Sequence, residues 1–145
     1  MTLYAESSAV LSWLFGEPRG DEVSRLLASA STIFASELTL LECDRTIRAA
    51  EARGRLDAMA AQEARSRLEA ATTSWNVHQI GSVIMDRARR PFPHEPVRAL
   101  DALHLATVLR IGAFRRDLQV LTFDRRIRSN AAALGLEVAP VDGET

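Results

Sequence analysis

A chain of 145 residues with a formal net charge of −1 has room for one ordinary domain and lacks the overall basic excess of a general nucleic-acid binder. Its hydrophobic fraction of 47% and charged fraction of 26% exclude a disordered polymer, and no apolar run is long enough to cross a membrane. The lone cysteine, Cys43, excludes an internal disulfide and a cysteine-based zinc cluster; with no basic, cleavable leader at the N-terminus, the sequence points to the cytoplasm.

Thr2 to Ala5 is a short apolar run that suits a buried strand, and the acid Glu6 follows at once. Ser7 or Ser8 is expected to cap a helix running from Ala9 to Phe15. Gly16 to Gly20 is a break, after which Asp21 should cap a helix with Val23, Leu26, Leu27 and Ala30 on one face. Thr32 to Ala35 reads as a second strand. Ser36 then caps a long helix to about Arg53, with Leu38, Leu41, Ile47 and Ala49 as its apolar members and Gly54 as its terminator. A helix rich in alanine and in acid–base pairs is expected from about Leu56 to Ala71, followed by an alternating strand from Trp75 to Ile80. Ser82 to Arg90 is a short helix, and the prolines of 91–96 make a stiff connector. From Val97 to Ile111 the apolar residues go all round, which predicts a buried helix. Leu118 to Thr122 is a fourth strand, Asp124 opens a helix to Leu134 that Gly135 closes, and Leu136 to Ala139 is a last strand. This alternation predicts an α/β fold with a mostly parallel sheet, as one domain over residues 1–140 with a polar tail over 141–145.

Four carboxylates stand out by position. Glu6 and Asp124 follow predicted strands, at the edge of the sheet where open α/β folds bind ligands. Glu42 lies on the long helix and Asp101 on the buried one, flanked by Leu100, Ala102 and Leu103. Each has an ordinary explanation: a surface turn for Glu6, a pair with Arg45 for Glu42, a salt bridge to Arg98 or His104 for Asp101, and an N-cap for Asp124. Gathered in one place they would repel one another, and a divalent cation would relieve that repulsion. Oxygen donors without a cysteine or histidine set suit Mg²⁺ or Mn²⁺, and a water on such an ion can attack a phosphodiester.

Taken in order, Tyr4-Ala5-Glu6-Ser7-Ser8-Ala9, Ser36-Glu37-Leu38-Thr39 with Glu42, Leu100-Asp101-Ala102-Leu103-His104-Leu105-Ala106, and Leu121-Thr122-Phe123-Asp124 with Ala132 to Val138 resemble PIN-domain ribonucleases. The likeness covers nearly the whole chain and is closest to the VapC toxins of bacterial type II toxin–antitoxin systems; the block from Leu100 to Ala106 is its most specific part. It implies a three-layer α/β/α sandwich with a central, mostly parallel sheet. It also implies Mg²⁺- or Mn²⁺-dependent cleavage of RNA, often a tRNA or rRNA loop, with an antitoxin protein and a second copy of the chain as partners. One departure is Glu6, where most members carry aspartate; the extra methylene shifts or weakens the metal site.

On this resemblance Glu6 and Asp101 are the expected metal ligands, with Glu42 and Asp124 acting through water and all four catalytic. Ser8 and Thr122 are expected to fix the carboxylates by hydrogen bonds. Arg125, Arg126 and Arg128 are candidates for RNA phosphates or for a solvated helix face, as are Arg87, Arg89 and Arg90. His104, one helical turn from Asp101, has two readings, a contact with the site or a place in a core or interface, and the second is expected. Cys43 is expected buried and inert, and Trp13 and Trp75 in the core unless exposed to stack a base or join a dimer seam. All 18 basic residues are arginine, a bias that makes arginine counts weak evidence. The rival readings are a non-catalytic PIN-like module that binds RNA or protein with a weakened metal site, and a phosphohydrolase of small molecules. No glycine loop for a nucleotide supports the latter.

Overall fold

The computed structural model describes residues 1–142; residues 143–145, the end of the expected tail, lie outside the described residues. Five strands, β1 (Thr2–Ala5), β2 (Thr32–Ser36), β3 (Asn76–His78), β4 (Leu118–Leu121) and β5 (Glu137–Ala139), form one sheet in the order β3-β2-β1-β4-β5. Every neighbouring pair is parallel. Seven helices occur among the described residues: α1 (Ser7–Leu14), α2 (Gly20–Ser29), α3 (Glu37–Ala52), α4 (Ala58–Thr72), α5 (Ser82–Ala88), α6 (Ala99–Gly112) and α7 (Arg125–Ala133).

The three layers follow from the period-two alternation of the strands. Tyr4, Phe34 and Val120 point to one face and pack with Leu105, Val108 and Ile111 of α6 and Ile127 of α7. Ala5 and Ala35 point to the other and pack with α1, α3 and α4 through Val10, Cys43, Ile47 and Ala64. Leu3 and Leu121 share that second face with Val23 of α2. All four residues of β1 are buried because helices cover both sides of it, as in any parallel sheet closed by right-handed crossovers. This is the expected α/β/α sandwich.

The order reverses at β1: one half of the chain builds outward through β2 and β3, the other through β4 and β5. The carboxyl ends of β1 and β4 therefore face an uncovered crevice between α1 and α7, the position at which such sheets bind ligands. The two ends are tied together, with the Glu6 amide donating to the Leu121 carbonyl at 3.0 Å.

Several expectations are corrected in detail. Neither Ser7 nor Ser8 caps α1; the N-cap is Glu6, with extended backbone and its own carboxylate accepting from the Ser8 amide. Asp21 does not cap α2, which starts at Gly20 after Arg19 without any side-chain cap. The reason is a close approach: a Cβ on Gly20 would lie 2.7 Å from the backbone oxygen of Ser12, so the helix begins with glycine under α1 and Asp21 falls in its first turn. α4 starts at Ala58 behind the cap Asp57, later than Leu56. β3 is an edge strand and keeps only three residues. α6 starts at Ala99, and Leu100 is 48% exposed, so this helix is not buried all round; Leu41 on α3 also faces solvent. Ser36 does cap α3, and Gly54 and Gly135, with φ of 73° and 82°, follow the ends of α3 and α7.

Candidate active site

Glu6 leaves β1 and enters α1 at the crevice, only 5% exposed. One of its oxygens, Oε2, accepts three hydrogen bonds: from the Ser8 amide at 3.1 Å, the Ser8 hydroxyl at 2.5 Å and the Thr122 hydroxyl at 2.6 Å. Thr122 sits just beyond β4 and itself accepts from the Asp124 amide, while the Phe123 amide donates to Ser8 Oγ. Two strand ends are thus knitted through a single carboxylate oxygen. No donor among the described residues reaches Glu6 Oε1, and it is not sealed in the core, since no buried side-chain oxygen there lacks a partner. Burial drives the Glu6 carboxyl above its usual range, and His104 and the Ser8 and Thr122 hydrogen bonds offset part of that rise.

Glu42 approaches from α3. Its Oε1 accepts from Ser7 Oγ at 2.7 Å and pairs with His104 Nε2 at 2.5 Å. Burial pushes this carboxyl up, but the bonds from His104 and Ser7 outweigh it, and the net shift is downward. Behind His104, the Tyr4 hydroxyl lies 2.6 Å from Nδ1. Burial, and then the charge of Glu6, hold the Tyr4 phenol far above its ordinary range, so it remains a donor. With a carboxylate on Nε2 and a phenol on Nδ1, the network assigns the hydrogen to Nε2. One oxygen of Glu6, one of Glu42 and one nitrogen of His104 lie within 4.8 Å of one another.

Asp101, in the first turn of α6, is half-buried and has no ion pair among the described residues, so neither Arg98 nor His104 forms a salt bridge with it. Its carboxyl is raised first by burial and next by the charge of Asp124, with Glu42 adding to it. The charges of Asp124 and Glu42 are thus close enough to be felt at Asp101. Asp124 does cap α7, as its ordinary explanation required, with Oδ1 accepting from the Ile127 amide at 2.9 Å. Its other oxygen has no protein donor among the described residues. Glu42 does not pair with Arg45.

Of the arginines beside Asp124, Arg125 and Arg126 are exposed. Arg128 differs: its guanidinium donates to the carbonyls of Thr122, Ala139 and Pro140 and ties the β4–α7 turn to the end of β5. A surface groove of about 960 Å³ runs along α7 past Phe123, lined by Arg19 and Arg125 and adjoining the acids through the Thr122–Asp124 turn. Arg19 stacks on Phe123, 4.5 Å from the ring centroid. Cys43 is buried and its thiol pushed up to about 12, chiefly by burial and then by Glu42, which makes it inert. Trp75 is in the core and Trp13 packs at its margin.

Among the described residues, Glu42 and His104 are the groups that join Glu6 in a three-membered cluster of possible metal ligands. The link from Tyr4 through His104 to Glu42, with Ser7, was missed. Its only trace in the sequence is a histidine one helical turn after Asp101.

Known proteins share the sequence pattern and the fold. The PIN domain family model matches residues 3–133. Ribonuclease VapC46 of Mycobacterium tuberculosis is 31% identical over 137 residues, covering 94% of this chain and 95% of that protein. Among solved structures, a toxin–antitoxin complex from Klebsiella pneumoniae aligns with a TM-score of 0.60 at 18% identity, covering 97% of each chain. VapC20 of M. tuberculosis, a toxin that cleaves the sarcin–ricin loop, aligns with a TM-score of 0.61 at 18% identity, covering 92% of this chain and 95% of that one.

Proposed function

Because the chain belongs to the PIN-domain family, as a VapC-like member, we propose that it is the endoribonuclease toxin of a toxin–antitoxin pair, cutting RNA with the help of Mg²⁺ or Mn²⁺. The observation that supports this reading is the gathering of one Glu6 oxygen, one Glu42 oxygen and a His104 nitrogen within 4.8 Å of one another, beside an Asp101 whose carboxyl is raised by burial and by the charges of Asp124 and Glu42. The ribonuclease and toxin–antitoxin character of the relatives supports it. Residues 1–140 are taken as the single PIN-like unit.

The donor set fits a hard divalent cation. Among the described residues, Glu6, Glu42 and Asp124 each bind protein donors through one oxygen and leave the other without one, and Asp101 has both unclaimed by ion pairs. His104 is not counted as a ligand, since its Nε2–H is given to Glu42. Glu6 and Asp101 would hold the ion directly, while Glu42 and Asp124 would act through water. When bound, Mg²⁺ or Mn²⁺ supplies the positive charge that activates water and offsets charge on the phosphate in the transition state. Ser8 and Thr122 keep the Glu6 carboxylate in one rotamer, and Ser7 and His104 do the same for Glu42. The exposed Arg125 and Arg126 beside Asp124 would take RNA phosphates flanking a cut in a tRNA or rRNA loop. An antitoxin would cover the same rim in the resting cell, and the exposed Val83, Met85 and Leu100 on α5 and α6 give a second copy of the chain apolar surface to pack on.

A non-catalytic RNA- or protein-binding module is favoured by one observation: Oε2 of Glu6 is taken up as a cap and strand tie. Incubation of the purified protein with total cellular RNA separates the two. The ribonuclease reading predicts fragments with Mn²⁺ or Mg²⁺, none with EDTA, and at least a 100-fold loss in Asp101→Asn, in line with removal of a key electrostatic group. RNA that stays intact under all conditions while still binding the protein contradicts it.

A further inference from the structure

We propose that His104 is a positioning residue of the site, which, anchored by Tyr4, fixes the Glu42 carboxylate with one oxygen saturated and the other left for the Glu6 cluster. This rests on the reading of the acids as a cation-binding ribonuclease site.

His104 is 1% exposed and lies in an otherwise apolar stretch of α6, between Leu103 and Leu105. A residue needed only for packing there would be apolar, because a buried imidazole is costly unless both nitrogens are satisfied. Both are: Nδ1 by the Tyr4 hydroxyl at 2.6 Å and Nε2 by Glu42 Oε1 at 2.5 Å. Tyr4 is itself fully buried on β1, so its hydroxyl cannot turn to solvent. The bonds therefore run from a rigid strand to a helix and out to a half-exposed carboxylate, crossing 100 and then 62 positions of sequence. Ser7, from the first turn of α1, adds a second donor to the same Glu42 oxygen. A glutamate on a solvent-facing helix would otherwise sample several rotamers and turn its charge away from the neighbouring acids. Two donors on Oε1, both from other elements, remove that freedom and leave Oε2 with no protein partner among the described residues.

The test uses the full chain and reads Mn²⁺ uptake by electron paramagnetic resonance beside RNA cleavage. His104→Gln keeps an amide donor near the place of Nε2. His104→Asn keeps a polar group only near Nδ1, against Tyr4, and leaves Glu42 with Ser7 alone. We expect His104→Gln to stay within a few-fold of wild type. His104→Asn should lose about 10- to 100-fold in Mn²⁺ affinity and in kcat, with KM for RNA unchanged. Metal-free melting of the two variants should coincide, so that the difference reports positioning and not folding. Equal Mn²⁺ affinity in the two variants overturns the proposal. Should His104→Asn fail to fold, Tyr4→Phe is set against wild type: weaker Mn²⁺ uptake supports the proposal and equal uptake overturns it. Variants that show the split in Mn²⁺ affinity, beside a wild type that cuts no RNA, leave His104 its role and remove the ribonuclease reading. A wild type that takes up no Mn²⁺ overturns both.

Discussion

Burial holds the Glu6 carboxyl above its ordinary value of 4.5, while the bonds from His104 and Ser7 hold Glu42 below that same value. The signs have opposite consequences for the metal-free protein. For Glu6, the folded state keeps its proton longer than the unfolded chain, so its contribution is fully present below pH 4.5 and is lost as pH rises through the folded value. For Glu42, the contribution is present above 4.5 and is lost as pH falls through the depressed folded value. Glu6→Gln removes a charge that burial disfavours yet keeps an acceptor for Ser8 and Thr122. It should raise the metal-free melting midpoint by a few degrees at pH 8 and by much less at pH 4.5. It should also abolish the rise in midpoint that Mn²⁺ gives wild type through mass action. Melting curves at the two pH values, with and without Mn²⁺, check both parts; a midpoint at pH 8 that drops, or a Mn²⁺ response that persists, contradicts this account of Glu6.

α1 and α2 meet at a close approach. Gly20 starts α2 directly under the Ser12 carbonyl, where an added methyl group would lie 2.7 Å from backbone oxygen. Gly20→Ala should therefore force the two helices apart at a cost of about 1–3 kcal/mol, read as a lower urea midpoint with an unchanged slope. A midpoint equal to that of wild type would show that the contact yields freely. The sequence revealed that Gly16 to Gly20 is a break, because glycine and proline punctuate the chain locally. It could not reveal that Gly20 is needed for packing, because the clashing carbonyl belongs to another helix. The same division holds at the caps. Ser36 and Asp124 were legible as caps from residue type and position. Glu6 was not, because its capping geometry depends on Thr122, 116 positions away, holding the carboxylate in place.

Across the whole molecule, the alternation of strands and helices was enough to anticipate the layered α/β architecture, and strand-end position was enough to mark Glu6 and Asp124. The parallel order with β1 and β4 adjacent is what turns those two positions into neighbours, and no local period encodes it. Asp101 was visible as an acid among apolar residues, although the exposure of Leu100 places it at the margin of the core and not within it. The links Tyr4–His104–Glu42 and Arg128 to the end of β5 were invisible, since hydrogen bonds across 62 and more positions, or into a neighbouring strand, leave no trace in periodicity. The central claim is that carboxylates from four elements hold one or two divalent cations at the rim of the sheet. Anomalous diffraction from a Mn²⁺-soaked crystal tests it most directly: the account predicts a peak beside Glu6 and Asp101 with Glu42 and Asp124 facing it. A fully soaked crystal with no peak there, or with these four side chains turned apart, would contradict it.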